Sequence, residues 1–411
     1  QIQGFDEIGT TLKEVASTDQ YGKLNGTVRT NGDYTTYFIS SVESKGASES
    51  IQSASSVALG SNYSLYMANI NSLNKRMGEL RYNANSQGVW ARVFNGMLSS
   101  DLNLANTKSL YTTLQAGYDY AFGMEGANNY LGFAISYINA INDSKAKLDI
   151  DGLNKGVKDS LSNGVEVAIY NAYVQDGASK ASGWKNGLYT DTILKFSFMN
   201  NKLHMFGQVD DYSINNFALT FSQEAGYRFL LGNHNEWFID PQAELTIGFF
   251  DQSEFVQKLG NNYLVGTQNA ILNIRGRVGS NFGYKFDHLT ENKGFTSQLY
   301  LGMYYLGNYT SGGDGALVSN LGSKTTLNAL TSHSSFLINV GTNFTIKDKH
   351  RIYFDFERSF FGPIITNYQV NLGYRFSFGE SKYTPLATNL ANEIKKAKEV
   401  KAKAEEVEKK N

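Results

Sequence analysis

The residues of this chain best equipped for chemistry are carboxylates and guanidinium groups that fall on one face of alternating segments. They are Asp119, Glu166, Asp191, Glu224, Glu244 and Asp355, with Arg275, Arg277 and Arg375. Acids gathered around a confined space order a water or position an amide for attack; the same acids also simply pair with arginines. Other chemistry is not legible. There is no Cys and only five His, with no spacing of the zinc-ligand type. His204, His234 and His350 fall at expected strand ends or turns. No G-x-S-x-G elbow is present, and the glycines are scattered rather than gathered into a phosphate loop. No metal and no cofactor is therefore expected, and a formal net charge of -1 gives no footprint for nucleic acid.

The elements that must position these groups are strands. From Gln87 to Phe378 the apolar residues recur with period two. Tyr368, Val370, Leu372, Tyr374, Phe376 and Phe378 share one face; Asn367, Gln369, Asn371, Gly373, Arg375 and Ser377 share the other. Ile352, Phe354 and Phe356 alternate with Tyr353, Asp355 and Glu357, and Val165, Val167 and Ile169 alternate with Gly164, Glu166 and Ala168. With 26 Tyr, 26 Phe and 40 Gly against 3 Pro, the composition favours extended structure. No run approaches the roughly 18 apolar residues of a membrane helix. Alternating segments of about 10 residues, capped by aromatics, are the pattern of a transmembrane barrel.

Counting such segments gives about twelve strands, an even number as bacterial barrels require. They are placed near 87–98, 109–122, 129–140, 163–175, 184–199, 212–230, 235–250, 269–286, 295–306, 333–346, 349–358 and 366–378. Connections after odd strands are mostly long (141–162, 251–268, 307–332), and those after even strands short (123–128, 231–234, 347–348). Long outer loops and short periplasmic turns would put residues 87 and 378 at the periplasmic end.

The expected fold is thus an all-β membrane protein, a 12-stranded antiparallel barrel of residues 87–378, with flanking segments of other character. Residues 1–50 are polar, with a strand-like run at Thr35–Ser40. Residues 51–86 lack Pro, and Met67, Ile70, Leu73, Met77 and Leu80 form a helical stripe, so this segment is the candidate for a helix through the lumen. Gly117, Gly132, Gly302, Gly341 and Gly373 fall on the inward face, where small residues let another backbone come close. Residues 379–411 are rich in Lys, Glu and Ala, with Pro385 at a helix start, and read as a charged helical tail in the periplasm. Gln1 is not preceded by a charged-then-apolar signal, so an export signal is expected upstream.

The residues now resemble a known family. Leu73-Asn74-Lys75-Arg76-Met77-Gly78-Glu79-Leu80-Arg81, followed by Gly88-Val89-Trp90-Ala91-Arg92, resembles the linker helix and first strand of type Va autotransporter translocator domains of the bacterial outer membrane. Glu224-Ala225-Gly226-Tyr227-Arg228-Phe229, Trp237 to Leu245 and Gly276-Arg277-Val278-Gly279 resemble three further blocks of that barrel. Together the blocks cover residues 55–378. Asn371 to Phe378 is similar to the C-terminal assembly signal of outer-membrane proteins, with Gly373, Phe376 and Phe378 at its defining positions. Such a signal usually ends the chain, whereas here residues 379–411 follow it.

The resemblance implies an outer-membrane translocator that anchors, and assists export of, an N-terminal passenger, whose last piece would be residues 1–50. The lumen helix would plug the pore. The partners implied are outer-membrane lipid, the chain's own passenger and the barrel-assembly machinery, with the barrel acting as a monomer. Some members release their passenger when an Asn on the helix cyclises onto its own carbonyl. By alignment with those members the scissile bond would be Asn71–Ser72, with Glu224 and Glu244 as supporting acids; self-cleavers carry Asn where this chain has Ser72. The other reading is structural, with Asp119, Glu166, Asp191, Arg275 and Arg277 seating a helix that carries Arg76 and Arg81. A general porin is the rival, but it needs no helix before its first strand. A lipid-face phospholipase or protease would need a catalytic constellation that is not legible.

Overall fold

The computed structural model describes residues 12–15, 23–31, 34–43, 49–70, 73–102, 105–144, 149–150, 153–154, 157–179, 185–205, 210–259, 261–289, 294–320 and 324–386. Asn71, Ser72 and the tail beyond residue 386 lie outside them.

Alternation over residues 87–378 produces twelve long strands because one face of each is apolar and the other polar. They are β1 Gln87–Leu102, β2 Ala105–Met124, β3 Ala127–Ser144, β4 Val157–Gln175, β5 Leu188–Met205 and β6 Tyr212–Tyr227. The second half is β7 Trp237–Phe250, β8 Ile271–Lys285, β9 Phe295–Gly312, β10 His333–Ile346, β11 His350–Phe360 and β12 Ile364–Phe378. Each strand pairs antiparallel with the next, and β12 pairs with β1 from Phe378↔Gln87 to Ile364↔Ser100, which closes the barrel. Closure removes the free edges that an open sheet of this length would expose.

The outward face is an apolar belt. Ile169 on β4 is 60% exposed, while its neighbour Tyr170 is 2% exposed and faces the lumen. Such a belt is unfavourable in water and is satisfied by lipid. All twelve expected strands are present. Several run further than expected at the rim opposite residues 87 and 378: β5 continues to Met205 and β9 to Gly312. Two connections at that rim are short, at residues 103–104 and 361–363. Two others build a four-stranded sheet of Ser253–Leu259, Asn262–Gln268, Gly315–Ser319 and Lys324–Leu327 over the rim.

Before β1 come two helices, α1 Glu49–Ala68 and α2 Leu73–Met77. The stripe from Met67 to Leu80 therefore spans a break, and Leu80 lies beyond α2. Helix α1 is rich in Ser and Ala, so its backbone packs close to the inner wall. Ser64 returns its hydroxyl to the Gly60 carbonyl at 2.8 Å, and Asn69 caps the helix end through Leu65 O at 2.8 Å. Residues 12–15, 23–31 and 34–43 form a separate three-stranded sheet that contains the Thr35–Ser40 run.

Four of the five inward glycines make room for aromatic rings, while Gly302 makes room for the Asn281 and Asn339 side chains. A side chain at Gly117 would overlap Trp90, at Gly132 Tyr170, at Gly341 Tyr300 and at Gly373 Tyr353. The space they leave is filled by aromatic rings of adjacent strands lying flat on the wall, rather than by the helix backbone. The helix then meets those rings.

Candidate functional site: the occupied lumen

Two chemistries hold the segment inside the barrel. Helix α1 is held by apolar packing and neutral hydrogen bonds. Tyr63 and Tyr66 pack against Phe250 with ring centroids at 5.5 and 5.8 Å. Asn62 donates to Asn216 Oδ1 at 2.8 Å, Ser100 to Ser64 at 2.8 Å, and Asn201 to the Val57 carbonyl at 3.1 Å. The helix lies mainly against β1 to β6. On its other side a partly open cavity of about 80 Å³ lies between the end of α1 and β8 to β12, lined by Lys75, Arg275, Arg277, Asn308, Asn339 and Glu357 among others.

Helix α2 is held by charge. Arg76 donates from Nη2 to both carboxylate oxygens of Asp191, at 2.7 and 2.8 Å, and stacks over the Tyr170 ring at 4.7 Å. Lys75 pairs with Glu357. The end carbonyls of α2 are also occupied, as helix termini require. Arg92 at 2.8 Å and Asn371 at 3.1 Å donate to Lys75 O, and Tyr353 donates to Arg76 O at 2.6 Å. Both side chains of each ion pair are nearly dry, so the pairs tolerate little loosening before an unpaired charge is left in the wall.

Past α2 the chain turns at Gly78, whose φ of 70° is a left-handed conformation suited to glycine. Glu79 then accepts from Arg228, which is also paired with Asp240 at 2.6 Å. Arg81 pairs at 3.1 Å with Glu79 in its own segment and stacks over the Tyr189 ring at 5.4 Å. Asn83 is enclosed by Tyr130 at 3.0 Å, Asn128 at 2.7 Å and Arg351 at 3.3 Å.

The remaining residues singled out in the sequence are inward and buried; Glu224 and Glu244 meet Arg275 and Arg277, whereas Asp119 and Glu166 meet other partners. Asp119 is paired with Arg375 of the wall and accepts from Tyr170 at 2.8 Å, in turn bonded by Trp90 at 2.8 Å. Glu166 holds Lys195 at 3.0 Å and Ser197 at 2.6 Å, and Lys195 reaches the Asn69 carbonyl at 2.8 Å. Glu224 and Glu244 oppose each other on β6 and β7 and share Arg277 at 3.0 Å, with Arg275 on Glu244 at 3.0 Å. Glu224 also accepts from the Leu73 amide at 3.4 Å, at the start of α2. Asp355 is buried on β11 among Lys75, Arg92 and Asn371.

Lys75, Glu79, Lys195, Arg228 and Tyr353 were not anticipated. For the wall residues the signal is parity: Lys195 lies four residues beyond inward Asp191, Arg228 four beyond inward Glu224, and Tyr353 two before inward Asp355. Which inward group meets which depends on stagger around the barrel, and that is absent from any single strand's pattern. Among the described residues no group of His, Asp and Glu is arranged to hold a metal.

The family model for the autotransporter beta-domain matches residues 89–357. The chain is 28% identical over 381 residues to the serine protease EatA of Escherichia coli O78:H11, covering 92% of this chain and 25% of that protein. It is 27% identical over 354 residues to the serine protease EspP of Escherichia coli, covering 86% and 25%. The chain thus spans about a quarter of the length of the curated relatives it matches. Among solved structures it is similar to the beta domain of the Bordetella autotransporter BrkA, with a TM-score of 0.54 at 23% identity over 72% of this chain and all of that one. The translocator domain of NalP from Neisseria meningitidis gives 0.55 at 9% identity over 79% and 99%. At these identities the structures speak for the fold.

Proposed function

We propose how this chain works from one premise: it belongs to the autotransporter beta-domain family, and it is the outer-membrane translocator of a type V autotransporter. The lumen segment is the trailing end of an exported chain, parked after export. The observation that carries this reading is the charged seat of α2, above all Arg76 on Asp191. A porin has no reason to spend buried ion pairs on a segment that blocks its own conduit. In this reading residues 1–50 end the passenger outside the cell, residues 51–86 are the linker and residues 379–411 leave into the periplasm. The barrel is a monomer delivered by the assembly machinery, which reads Gly373, Phe376 and Phe378. Deleting residues 51–86 should convert a quiet barrel into a conducting one in planar bilayers. Unchanged conductance would overturn the plug.

A second reading concerns release. Glu224 sits at the Leu73 amide, two residues beyond Asn71. That favours a single-turnover cleavage in which the Asn71 amide nitrogen attacks its own carbonyl. A succinimide forms, the Asn71–Ser72 bond breaks and Ser72 leaves as a free amine. Glu224 would receive or orient the proton, and Glu244 would fix Arg277 against it. Intact mass and N-terminal sequence of the membrane-embedded product test this. A new N-terminus at Ser72, lost in Asn71→Asp, supports it; an intact chain in the native protein sinks it.

A further inference from the structure

The upper half of α1 lies in an apolar core of its own. Ala54, Val57, Ala58 and Leu59 are each no more than 3% exposed. They pack with Leu203, Met205 and Ile214 at the tops of β5 and β6, and with Phe255, Leu264 and Leu317 of the four-stranded outer sheet. Tyr212 stacks flat on Phe255 at 4.9 Å, which joins the outer sheet to the barrel. Polar groups complete the enclosure: Asn216 bonds Asn62 at 2.8 Å and Ser253 at 2.8 Å, linking helix, wall and sheet through one side chain.

This arrangement is more than a membrane anchor needs. Two connections that could be plain polar loops instead fold into a sheet and turn large apolar side chains onto a helix. Its grip is independent of the α2 seat, since one is apolar and neutral and the other ionic, and residues 69–72 are all that joins them. We propose that the outer sheet, with the tops of β5 and β6, is a non-covalent receptor for α1. It holds α1, and whatever precedes it, to the barrel even when the chain between α1 and α2 is cut. Scission and release are then separate events. That α1 trails a passenger rests on the translocator reading; the retention of α1 does not.

The test severs the chain without relying on self-cleavage. A backbone-photocleavable residue, 2-nitrophenylalanine, replaces Asn71 in the full chain, which is folded in mild detergent and irradiated. The fraction of the fragment ending at residue 70 that co-elutes with the barrel is then followed over time. Retention over hours, with release only on denaturation, is the expected result. Release within minutes from the otherwise native chain would overturn the proposal, whatever any further variant does. Phe255→Asp with Leu317→Asp should speed release at least tenfold in barrels that still pass a heat-modifiability check, while Leu289→Ser, exposed at the opposite rim, should not. Equal release from both variants would also overturn it. Failure of the plug or of self-cleavage leaves this measurement intact, so the readings fail separately.

Discussion

Arg76 on α2 and Asp191 on β5 lie 115 residues apart in the chain and meet in an ion pair almost sealed from solvent. Removing one partner strands the other, which costs about 3–5 kcal/mol in a buried pair. Arg76→Ala should therefore unseat α2, raising ion conductance in planar bilayers and lowering the unfolding temperature. Replacing both residues with apolar ones, Arg76→Met with Asp191→Leu, should recover much of the stability. If the single and double variants conduct alike at the native level, the pair does not hold the plug.

A second pair closes the barrel rather than the lumen. Arg375 on β12 reaches Asp119 on β2, passing over β1 at Gly88, where a side chain would overlap the guanidinium. Both residues are fully buried. Asp119→Ala should destabilise the closure seam by about 3–5 kcal/mol. Gly88→Val should act in the same direction by displacing the guanidinium without removing either charge. Heat-modifiability on gels reads both; a native midpoint in Asp119→Ala would refute the seam role.

The segment after β12 folds back across the same seam. Thr384 bonds the β2–β3 turn, its carbonyl accepting from Gly126 at 2.8 Å, and buried Tyr383 donates to Asp176 at 2.8 Å. Burial raises the Asp176 carboxyl above its ordinary range, against the opposing hydrogen bond from Tyr383 and the charge of Arg81. A raised acid contributes stability that is fully present below the unfolded value, about 3.9, and is lost as pH rises through the folded one. Hydrogen exchange of residues 379–386 should slow as pH falls towards 4, after correction for intrinsic rates. Asp176→Asn should flatten that dependence; an unchanged profile would exclude Asp176 as its source.

Much of this was legible in the sequence because lipid imposes a strict alternation. The twelve strands follow from it, and so does the inward placement of Asp119, Glu224 and Arg375. Strand tops were missed where the alternation stops mattering. Asn200, Asn201 and Lys202 on β5 lack apolar contrast, yet hydrogen bonding carries the strand through them. The outer sheet is hidden in the sequence for the same reason, within connections of loop-like composition. The segment 51–86 begins within two residues of α1. Its legible stripe, Met67 to Leu80, lies mostly past the end of that helix, because the Ser- and Ala-rich turns before it carry little periodic contrast. Pair identities were hidden by stagger: Asp119 faces Arg375 from two strands away.

Gly373 separates two explanations of the terminal motif. It lies directly opposite Tyr353 in the β11–β12 ladder, and its missing side chain is what lets that ring lie on the wall. The Tyr353 hydroxyl then holds the Arg76 carbonyl at 2.6 Å. Gly373→Val should therefore displace the ring and loosen α2, even when the purified chain is refolded in detergent without any assembly machinery. Tyr353→Ala alone should also loosen α2, but should make Gly373→Val harmless to barrel closure, because the space is then free. A motif read only by the machinery predicts the opposite: Gly373→Val would refold normally in detergent, and Tyr353→Ala would not rescue its assembly in cells. Refolding yield in detergent, set against surface assembly in cells for the two single variants and the double variant, decides between packing and recognition.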